Sequence, residues 1–379
     1  MKILLLSTLT IICFLLGCSD EPTDVGRGLL PPGDTLRIES RELTSTFDTT
    51  FLVPISSNVG RLFVGLHDDI EAASIIEFAG IPAFSDSQRV DSAVISFSIN
   101  YFFLDSSGSY GMNAYRMTKD WSASTFRWDS LSGSYSDTLA GSFVGSVVPG
   151  DTLIRLKLDT SLVRLWGQTG TGSLALRAPV NILGMKLILG FLNLAPPGTF
   201  QPGLTISYHD TADTTIRLTY YAARGVSVMH SSTPLTPGVM LLQSGTSTRS
   251  IVRFDSLAIP PKASITSAQL VLSPDVSLSL LNKYSRDSLI AYILRGTTFP
   301  YDTIALASIC SPFNDIGGRK KYGADVKSIV QQWLAGRPNY GFILHTYGEF
   351  SSLDRFVLSN SEALPSLKPR LKVTYTVFP

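Results

Sequence analysis

An internal repeat limits the fold of this chain more than any other feature of its sequence. Phe78, for example, has a counterpart in Phe254. Five short blocks recur in the same order with only the loop lengths changed, which is typical of a duplicated unit. The paired blocks are residues 74–78 with 250–254, 90–97 with 265–272, 113–115 with 290–292, 162–166 with 329–333, and 202–208 with 369–375. We therefore predict two tandem domains, residues 37–212 and 213–379, that meet near residues 209–214.

Apolar and polar residues alternate within each half of the chain. The alternation is clearest in residues 95–99, 154–158 and 371–377. A period of two is typical of strands with one buried and one wet face, as in antiparallel sheets. Gly, Pro, Ser and Asp cluster between these runs, as turns require. The sequence therefore predicts an all-β fold, with one antiparallel β-sandwich in each half.

One short helix interrupts the strand pattern in each half. Across residues 326–333 the apolar side chains fall at i, i+3, i+4 and i+7, and Asp325 precedes them as an N-cap. The first half predicts a similar helix, with Asp159 as its N-cap and its end at Gly167. The glycine-rich run 167–172 follows this helix instead of opening it. That order favours a connection between elements over a phosphate-binding loop.

The N-terminus predicts export and lipidation. Lys2 is followed by an apolar run over residues 3–16, which is too short for a stable membrane-spanning helix. The run closes with Leu-Leu-Gly-Cys, which resembles a lipobox. This resemblance implies a signal peptide over residues 1–17 and acyl chains on Cys18. Each buried methylene contributes roughly 0.8 kcal/mol to membrane binding. The alternatives are an uncleaved anchor helix and an ordinary signal peptide with a chance cysteine.

Residues 18–36 are predicted to form a flexible tether between the lipid and the first strand. The segment is rich in proline, glycine and acidic residues. Ser19, followed by acidic residues, resembles the export signals of some surface lipoproteins. We expect an outer-membrane lipoprotein of the cell envelope that faces either the cell exterior or the periplasm, with the membrane as partner through Cys18.

Charge and cysteine content exclude some partners and bonds. The chain has 31 basic and 30 acidic residues, and the predicted leader removes Lys2, so the remaining charges balance. A neutral balance argues against nucleic acid as a partner. If Cys13 leaves with the leader and Cys18 carries lipid, Cys310 has no intrachain disulfide partner. We expect it to be a small buried hydrophobe.

The second half resembles a known family. Its strings SIVRFD, IP and ITSAQLVL, the helix ending in QQW, the string NYGFIL and the closing PRLKVTY are similar to the DNRLRE-type domain. That domain is grouped with carbohydrate-binding module family 96, and the resemblance covers roughly residues 239–375. In the first half, MTKDWSASTFRW at residues 117–128 resembles the family's tryptophan-containing central segment. The resemblance implies a jelly-roll β-sandwich on a secreted or surface protein, and it points to glycan binding.

The sequence contains no recognisable catalytic constellation. Four histidines are present, and none lies in a metalloprotease motif, a paired-ligand spacing or a triad segment. The run His67-Asp68-Asp69 has residue types that bind metals, but we interpret it as a solvated loop. We therefore predict no enzymatic activity, no catalytic residues, no metal and no cofactor. An unrecognised hydrolase or lyase is the alternative to this prediction.

Aromatic residues of the first half are the best candidates for a ligand site. Sugar rings stack on aromatic side chains, and their edges accept and donate hydrogen bonds. Tyr115, Trp121, Arg127 and Trp128 form the densest group of suitable residues. The two tryptophans are seven residues apart, so on a continuous strand they would face opposite sides and at most one would be exposed. The alternative is that both pack inside the fold.

Two functions therefore follow from the sequence. The first is a non-catalytic lipoprotein whose β-sandwiches bind a polysaccharide, with any contact in the first half and the second half as a spacer or docking unit. The second is a structural or assembly lipoprotein that docks to another envelope protein through its sheet edges. An exposed aromatic on one sheet favours the first, and a broad exposed apolar patch favours the second.

Overall fold

The computed structural model describes residues 37–53, 60–148, 150–179, 186–193, 201–210, 212–232, 238–301 and 303–377. The predicted signal peptide, the tether and Cys18 lie outside these residues. No helix within the described ranges is both long and apolar enough to cross a membrane.

The chain is mostly β-structure and its sheets are antiparallel, which confirms the predicted all-β class. One sheet has ten strands: β3 (Arg61–His67), β4 (Ile70–Ala79), β5 (Arg89–Phe102), β6 (Gly108–Met117), β7 (Tyr135–Val147), β8 (Leu153–Leu158), β9 (Thr171–Arg177), β10 (Ile188–Leu192), β11 (Gly203–His209) and β12 (Thr215–Ser231). Their order is β10-β3-β4-β12-β11-β5-β8-β7-β6-β9. Additional pairings of β10 with β5 and of β4 with β9 fold this sheet back on itself.

The other sheet has eleven strands: β1 (Arg37–Thr44), β2 (Phe47–Leu52), β13 (Val239–Gln243), β14 (Thr248–Arg253), β15 (Ser264–Leu272), β16 (Leu289–Leu294), β17 (Thr303–Asn314), β18 (Lys320–Asp325), β19 (Phe342–Thr346), β20 (Arg355–Ser359) and β21 (Arg370–Val377). Their order is β1-β21-β15-β18-β17-β16-β19-β14-β13-β20, with β2 paired to β14. We call residues 60–231 the first unit, and residues 37–52 together with 238–377 the second unit.

Each unit encloses its own hydrophobic core. Alternate residues of β5 and β8, among them Phe97 and Leu156, point into the core of the first unit. Alternate residues of β21, including Val373 and Tyr375, point into the core of the second. Cys310 is also buried in that second core, and its burial raises the pKa of the thiol to about 12. In these strands, the alternate apolar residues seen in the sequence therefore face the core, and the residues between them lie on the outer face.

Residues that correspond in the sequence repeat also have corresponding partners in the strand pairing. Ile75 of β4 lies opposite Ala175 of β9, and Tyr115 of β6 lies opposite the same alanine. In the second unit, Ile251 of β14 and Tyr292 of β16 both lie opposite Ile343 of β19. The two units therefore share one pairing pattern over these three strands.

Two segments lie in the unit opposite to the one predicted for them. β1 pairs with β21 along its whole length, from Arg37 with Val377 to Thr44 with Arg370, and β2 pairs with β14. Conversely, β12 pairs with β11 and β4 of the first unit. We therefore correct the predicted extents 37–212 and 213–379, because each half of the chain supplies its leading strands to the other half.

This exchange has a simple physical reason. Without β12, the strands β4 and β11 would each keep an unpaired edge, and an exposed edge leaves backbone donors and acceptors without partners. Without β1 and β2, the same would hold for β21 and β14. The predicted boundary at 209–214 is a hairpin turn that joins β11 to β12, with His209 opposite Thr215. The Asp210 carboxylate accepts hydrogen bonds from the backbone N–H of Ala212 and Thr214 in this turn.

The first helix, α1 (Thr160–Thr169), begins as predicted and ends later. Asp159 is its N-cap and accepts a hydrogen bond from the backbone N–H of Ser161 at 2.9 Å. The helix ends at Gly170, which has a φ of +73°. Gly167 lies inside the helix, where a Cβ atom would come within 2.4 Å of the carbonyl oxygen of Pro82. The predicted end at Gly167 was therefore wrong, because this glycine permits close packing.

The second helix, α2 (Lys327–Leu334), matches the predicted stripe. Ile329, Val330 and Trp333 are buried in the second core. The Asp325 carboxylate accepts a hydrogen bond from the backbone N–H of Lys327 at 2.9 Å, although the cap position itself is Val326. The local signals in the sequence therefore placed this helix correctly, with its cap shifted by one residue.

Candidate functional site

The tryptophan-containing segment of the first unit is a loop that covers the outer face of its sheet. Residues 118–134 connect β6 to β7. Trp121 and Phe126 from this loop pack against Ile75 of β4 and Val226 of β12. The loop therefore buries apolar side chains that would otherwise face water.

Trp121 is part of this packing. Only 7% of the residue is exposed, and its indole N–H donates to the Ser173 hydroxyl at 3.2 Å. Ser173 in turn donates to Glu77, which forms a two-point ion pair with Arg224 at 2.7 and 2.9 Å. The Arg224 guanidinium lies 4.5 Å from the centre of the indole ring. The buried ring and the paired N–H favour the alternative that Trp121 packs inside the fold.

Trp128 has a different environment. It opens a short 3₁₀ turn, Trp128–Ser130, and is half-buried. Its ring stacks on exposed His230, with centroids 5.5 Å apart and planes at 19°. The guanidinium of Arg177 lies 5.7 Å from the ring centre. Arg127 precedes the turn and is exposed.

The contacts of Tyr115 differ from those of Trp121 and Trp128. Its ring packs on Tyr135, with centroids 5.2 Å apart, and its hydroxyl accepts a hydrogen bond from Asn113 at 3.0 Å. The structure thus separates the four predicted contacts. Arg127 and Trp128 line one cleft, whereas Tyr115 does not line it.

The cleft lies between the two units and has a volume of about 230 Å³. The turn at Trp128 and the end of β12 form its first wall. The end of β2 and the hairpin of β13 and β14 form its second wall. Its lining residues are Leu52, Val53, Arg127, Trp128, Asp129, Val228, Met229, His230, Ser231, Leu241, Gln243, Gly245, Thr246 and Thr248.

Gln243 is a buried polar residue of the second wall, with 1% of the residue exposed. Its Oε1 accepts a hydrogen bond from Arg355 Nε at 3.0 Å. Because a guanidinium only donates, this bond assigns the oxygen of the amide to the arginine side. The amide nitrogen, Nε2, is buried and has no hydrogen-bond partner among the described residues. An unpartnered buried N–H is costly.

An ion pair between the units holds this arrangement in place. Arg355 of β20 donates from Nη1 to Asp69 at 3.1 Å and from Nη2 to the other carboxylate oxygen. Ser231 also donates to Asp69, at 2.6 Å. Arg355 is buried, and the pair joins the second unit to the β3–β4 turn of the first. The orientation of the glutamine amide is therefore tied to the contact between the units.

The run His67-Asp68-Asp69 takes part in this junction. Asp69 pairs with Arg355, and His67 is buried with its ring 5.4 Å from that of Phe103. Our interpretation of the run as a solvated loop was therefore wrong for two of its three residues. Within the described ranges, no three His, Cys, Asp or Glu side chains cluster closely enough to hold a metal ion.

A second groove crosses the first unit beside Trp121 and has a volume of about 320 Å³. Lys119, Asp120, Glu77 and Arg224 also line it. The last two are already paired with each other. The groove is more open than the cleft between the units, so we consider the cleft the stronger candidate.

Two residues of the cleft were missed by the sequence argument. His230 and Gln243 lie far from Trp128 in the chain and carry no motif of their own. They reach the cleft because β12 crosses into the first unit and because the two units pack together. A pairing between the halves is the signal that would have found them, and a single sequence does not show it.

Comparison with known proteins gives no family for this chain. No protein-family model matches it, and no curated protein matches it. Similar solved structures include one described as "BspA_C_mut", with 10% identity over 88% of this chain and 90% of that one and a TM-score of 0.17. Another is BcpA, the major pilin subunit of Bacillus cereus, with 8% identity, coverage of 69% and 68%, and a TM-score of 0.18.

The C-terminal domain of AspA, an antigen I/II-family protein of Streptococcus pyogenes, is a third such structure. Its identity is 9%, its coverage 89% and 92%, and its TM-score 0.18. Superpositions at this level carry no argument about fold or function.

Proposed function

We propose that the protein is a non-catalytic lipoprotein of the cell envelope that binds the end of a glycan chain in the cleft between its two units. One observation carries this proposal. Half-exposed Trp128, stacked on His230, lines the same cleft as the hydroxyl-bearing residues Thr246 and Thr248.

The chemistry of the cleft suits a sugar. An aromatic ring packs against the C–H face of a sugar, and a few well-placed polar groups fix its orientation. Trp128 supplies the ring. Thr246 and Thr248, whose hydroxyls lie 3.0 Å apart, supply groups that both donate and accept. The volume is below the roughly 300–1,000 Å³ of sites that enclose a drug-sized ligand. We therefore propose that a terminal ring enters and that the rest of the chain stays outside.

The finer fold and the family belong to this proposal too. The largest core of each unit is lined by antiparallel strands of that unit, which supports a sandwich of the jelly-roll type in each unit. The resemblance of residues 239–375 to the DNRLRE-type domain supports the same reading.

Lipid anchoring is tested by the substitution Cys18→Ser. We expect the variant to incorporate no labelled fatty acid and to leave the detergent phase, because the acylated thiol is gone. Cys310→Ser is the matched control, since this thiol is buried in the second core. Labelling of the Cys18→Ser protein would contradict the lipobox assignment.

Glycan binding is tested with the Cys18→Ser protein lacking residues 1–17. We expect it to retain a defined glycan on an array, and Trp128→Ala to weaken binding of that glycan about twofold to tenfold. A loss of this size corresponds to the roughly 0.5–1.5 kcal/mol of one aromatic contact. Tyr284→Ala, at a tyrosine of the second unit that is 75% exposed, is the control and should leave binding unchanged. Equal affinity of the two variants would contradict a site in the cleft.

The alternative is a docking role, and one observation favours it. β1 is the outermost strand of its sheet, and Ile38 on it is 63% exposed. On its outer edge β1 pairs with no other strand of the described residues. A photo-reactive residue at position 38 that cross-links to one discrete envelope protein in cells would support docking. The control places the same photo-reactive residue at position 153, where Leu153 is 39% exposed.

A further inference from the structure

We infer that one side of the second unit binds the surface of an anionic bilayer through three loops. The first loop joins β15 to β16 (residues 273–288), the second joins β17 to β18 (residues 315–319), and the third joins β20 to β21 (residues 360–369). We call these residues the loop surface. The cleft between the units is lined by other residues, so this contact is separate from the proposed glycan site.

Lys321, which follows the second loop, holds the three loops beside one another. It is buried, and its ammonium group donates to the Ser273 hydroxyl at 2.7 Å and to the Ser366 carbonyl oxygen at 3.5 Å. Lys320 also donates to Asp287 of the first loop, at 2.6 Å. Side chains that these loops expose to water therefore belong to one region of the protein.

The three most exposed large apolar side chains of the described residues all lie on the loop surface. Ile316 is fully exposed on the second loop, Tyr284 is 75% exposed on the first and Leu364 is 70% exposed on the third. Val276 and Leu278 of the first loop are also more than half exposed. A single exposed apolar residue is ordinary, whereas several on adjoining loops indicate an interaction site.

Cations accompany these apolar side chains. Lys283 and Arg286 are exposed, and each lies over a tyrosine ring, 4.7 Å from the centre of Tyr284 and 4.1 Å from that of Tyr347. Seven Lys and Arg outnumber four Asp and Glu over residues 273–288, 313–322 and 360–370. Anionic lipid headgroups attract such an excess of positive charge.

A bilayer fits this combination better than a protein partner does. Tyrosine rings and the stems of Lys and Arg are favoured at the level of the headgroups, where the apolar part leaves water and the polar end stays wet. Apolar side chains that enter between the headgroups gain from leaving water. Side chains on three separate loops would need three pockets on a protein, whereas a bilayer deforms around them.

The proposed lipid on Cys18 can lie in the same bilayer. Nineteen positions separate Cys18 from Arg37, and a chain of this length spans at most about 65 Å. β1 extends about 24 Å from Arg37 to Thr44, and Thr44 lies opposite Arg370, just beyond the third loop. The loop surface and the lipid can therefore meet one membrane, and the two contacts together would fix the orientation of the second unit.

Vesicle flotation tests the inference with the Cys18→Ser protein lacking residues 1–17, which carries no lipid. We expect it to bind vesicles that contain phosphatidylglycerol, and to bind pure phosphatidylcholine at least about fivefold more weakly. Ile316→Glu should weaken phosphatidylglycerol binding about tenfold, because the loop loses an apolar side chain and gains a repelled charge. Val144→Glu is the matched control, at a valine of the first unit that is 60% exposed, and should bind like the unchanged protein.

An environment-sensitive dye measures insertion directly. Attached to Ile316→Cys, the dye should shift its emission to the blue on phosphatidylglycerol vesicles, because position 316 enters the bilayer. Attached to Val144→Cys, it should not shift. Cys310 is buried, so the dye reacts only with the introduced thiol of the folded protein.

Failure of the unlipidated protein to bind either kind of vesicle would overturn the inference and leave lipid anchoring and glycan binding as they stand. Equal binding to both lipids would overturn the anionic preference. Equal weakening by Ile316→Glu and Val144→Glu, or an unshifted dye at position 316, would also overturn the inference. A photo-reactive residue at position 316 that cross-links to one envelope protein in cells, without vesicle binding, would replace the bilayer by a protein partner.

Discussion

The outer faces of the two units share one strand pairing and carry different covers. In the first unit, Ile75 lies under the single loop of residues 118–134. In the second, the equivalent Ile251 is packed against aromatic residues from separate segments, among them Phe51 and Tyr292. The difference shows that the tryptophan-rich loop first serves as a cover. Of the two tryptophans in the loop, only Trp128, at the edge of that cover, lines the cleft.

One pair of equivalent strand positions, one in each unit, shows the same contrast. Arg177 lies two residues beyond Ala175, and His345 lies two residues beyond Ile343, so the two occupy equivalent places. The Arg177 guanidinium lies near the ring of Trp128. His345 instead stacks on Tyr292, with centroids 4.9 Å apart and planes at 11°. The first unit thus has an arginine, paired with Glu71, beside Trp128 at this position, whereas the second has a stacked pair.

Deletion of residues 37–52 should have the largest effect on this comparison. It removes the partners of β21 and β14, and we expect the second unit to lose protection from hydrogen exchange while the first unit keeps it. Measurement is by hydrogen exchange with mass spectrometry on the intact and shortened chains. The matched pair of fragments is 60–231, which should fold, and 60–212, which lacks β12 and should not. A folded fragment of residues 213–379 would refute the exchange of strands.

Trp121→Ala should come next. Removal of a buried tryptophan typically lowers the free energy of unfolding by about 3–5 kcal/mol. Tyr301 belongs to the cover of the second unit and is only partly buried, so Tyr301→Ala should cost less. Urea unfolding followed by circular dichroism measures both. A smaller effect for Trp121→Ala than for Tyr301→Ala would show that the loop is not a structural cover.

Asp69→Asn should have a moderate effect. It leaves the buried Arg355 without its counter-charge, and loss of one partner of a fully buried pair costs roughly 3–5 kcal/mol. The Asp69 side chain is 22% exposed, so we expect about 2 kcal/mol. Urea unfolding gives the value, and Asp68→Asn at the more exposed neighbour is the control. Identical stability of the two variants would mean that the ion pair does not hold the units together.

The smallest effect should be a dependence on pH that His345 gives to the second unit. Burial lowers the pKa of His345, an effect that Arg249 reinforces, while Glu349 and the Thr346 carbonyl act in the opposite direction. The ordinary imidazole pKa is about 6.5, so below that pH the unfolded chain takes up the proton before the folded one does. The free energy of unfolding therefore falls as the pH drops below about 6.5.

His345→Gln should reduce this slope. Urea midpoints of the variant and of the unchanged chain, taken between pH 7.5 and 5.5, give the comparison. His230→Gln is the control, because His230 is exposed on the cleft wall. If His345→Gln leaves the slope unchanged, other groups are responsible for it.

The sequence predicted those parts of the fold that depend on neighbouring residues. Alternation in β5 and the cap at Asp159 are local signals, and both appear in the structure. The exchange of β1 and β12 is not local, because a strand pattern is the same whichever sheet accepts it. Pairing of distant strands is decided by which edges lack partners in the whole fold.

The candidate site was predictable to a similar extent. Aromatic and charged residue types identified Trp128 and Arg127, which line the cleft. The same reasoning included Trp121, because composition does not distinguish a buried ring from an exposed one. Gln243 gave no signal, since its importance depends on Arg355 occupying one end of its amide.

The exchange of strands also determines which part of the molecule carries mechanical load. The chain leaves the second unit after Leu52 and returns to it at Val239, so the first unit is an insertion within the second. Tension applied through the residues before Arg37 acts directly on the pair of β1 with β21, at the position where Arg37 lies opposite Val377. The first unit is outside this path. A ligand held in the cleft would bring it into the path, with the force crossing the Asp69–Arg355 pair.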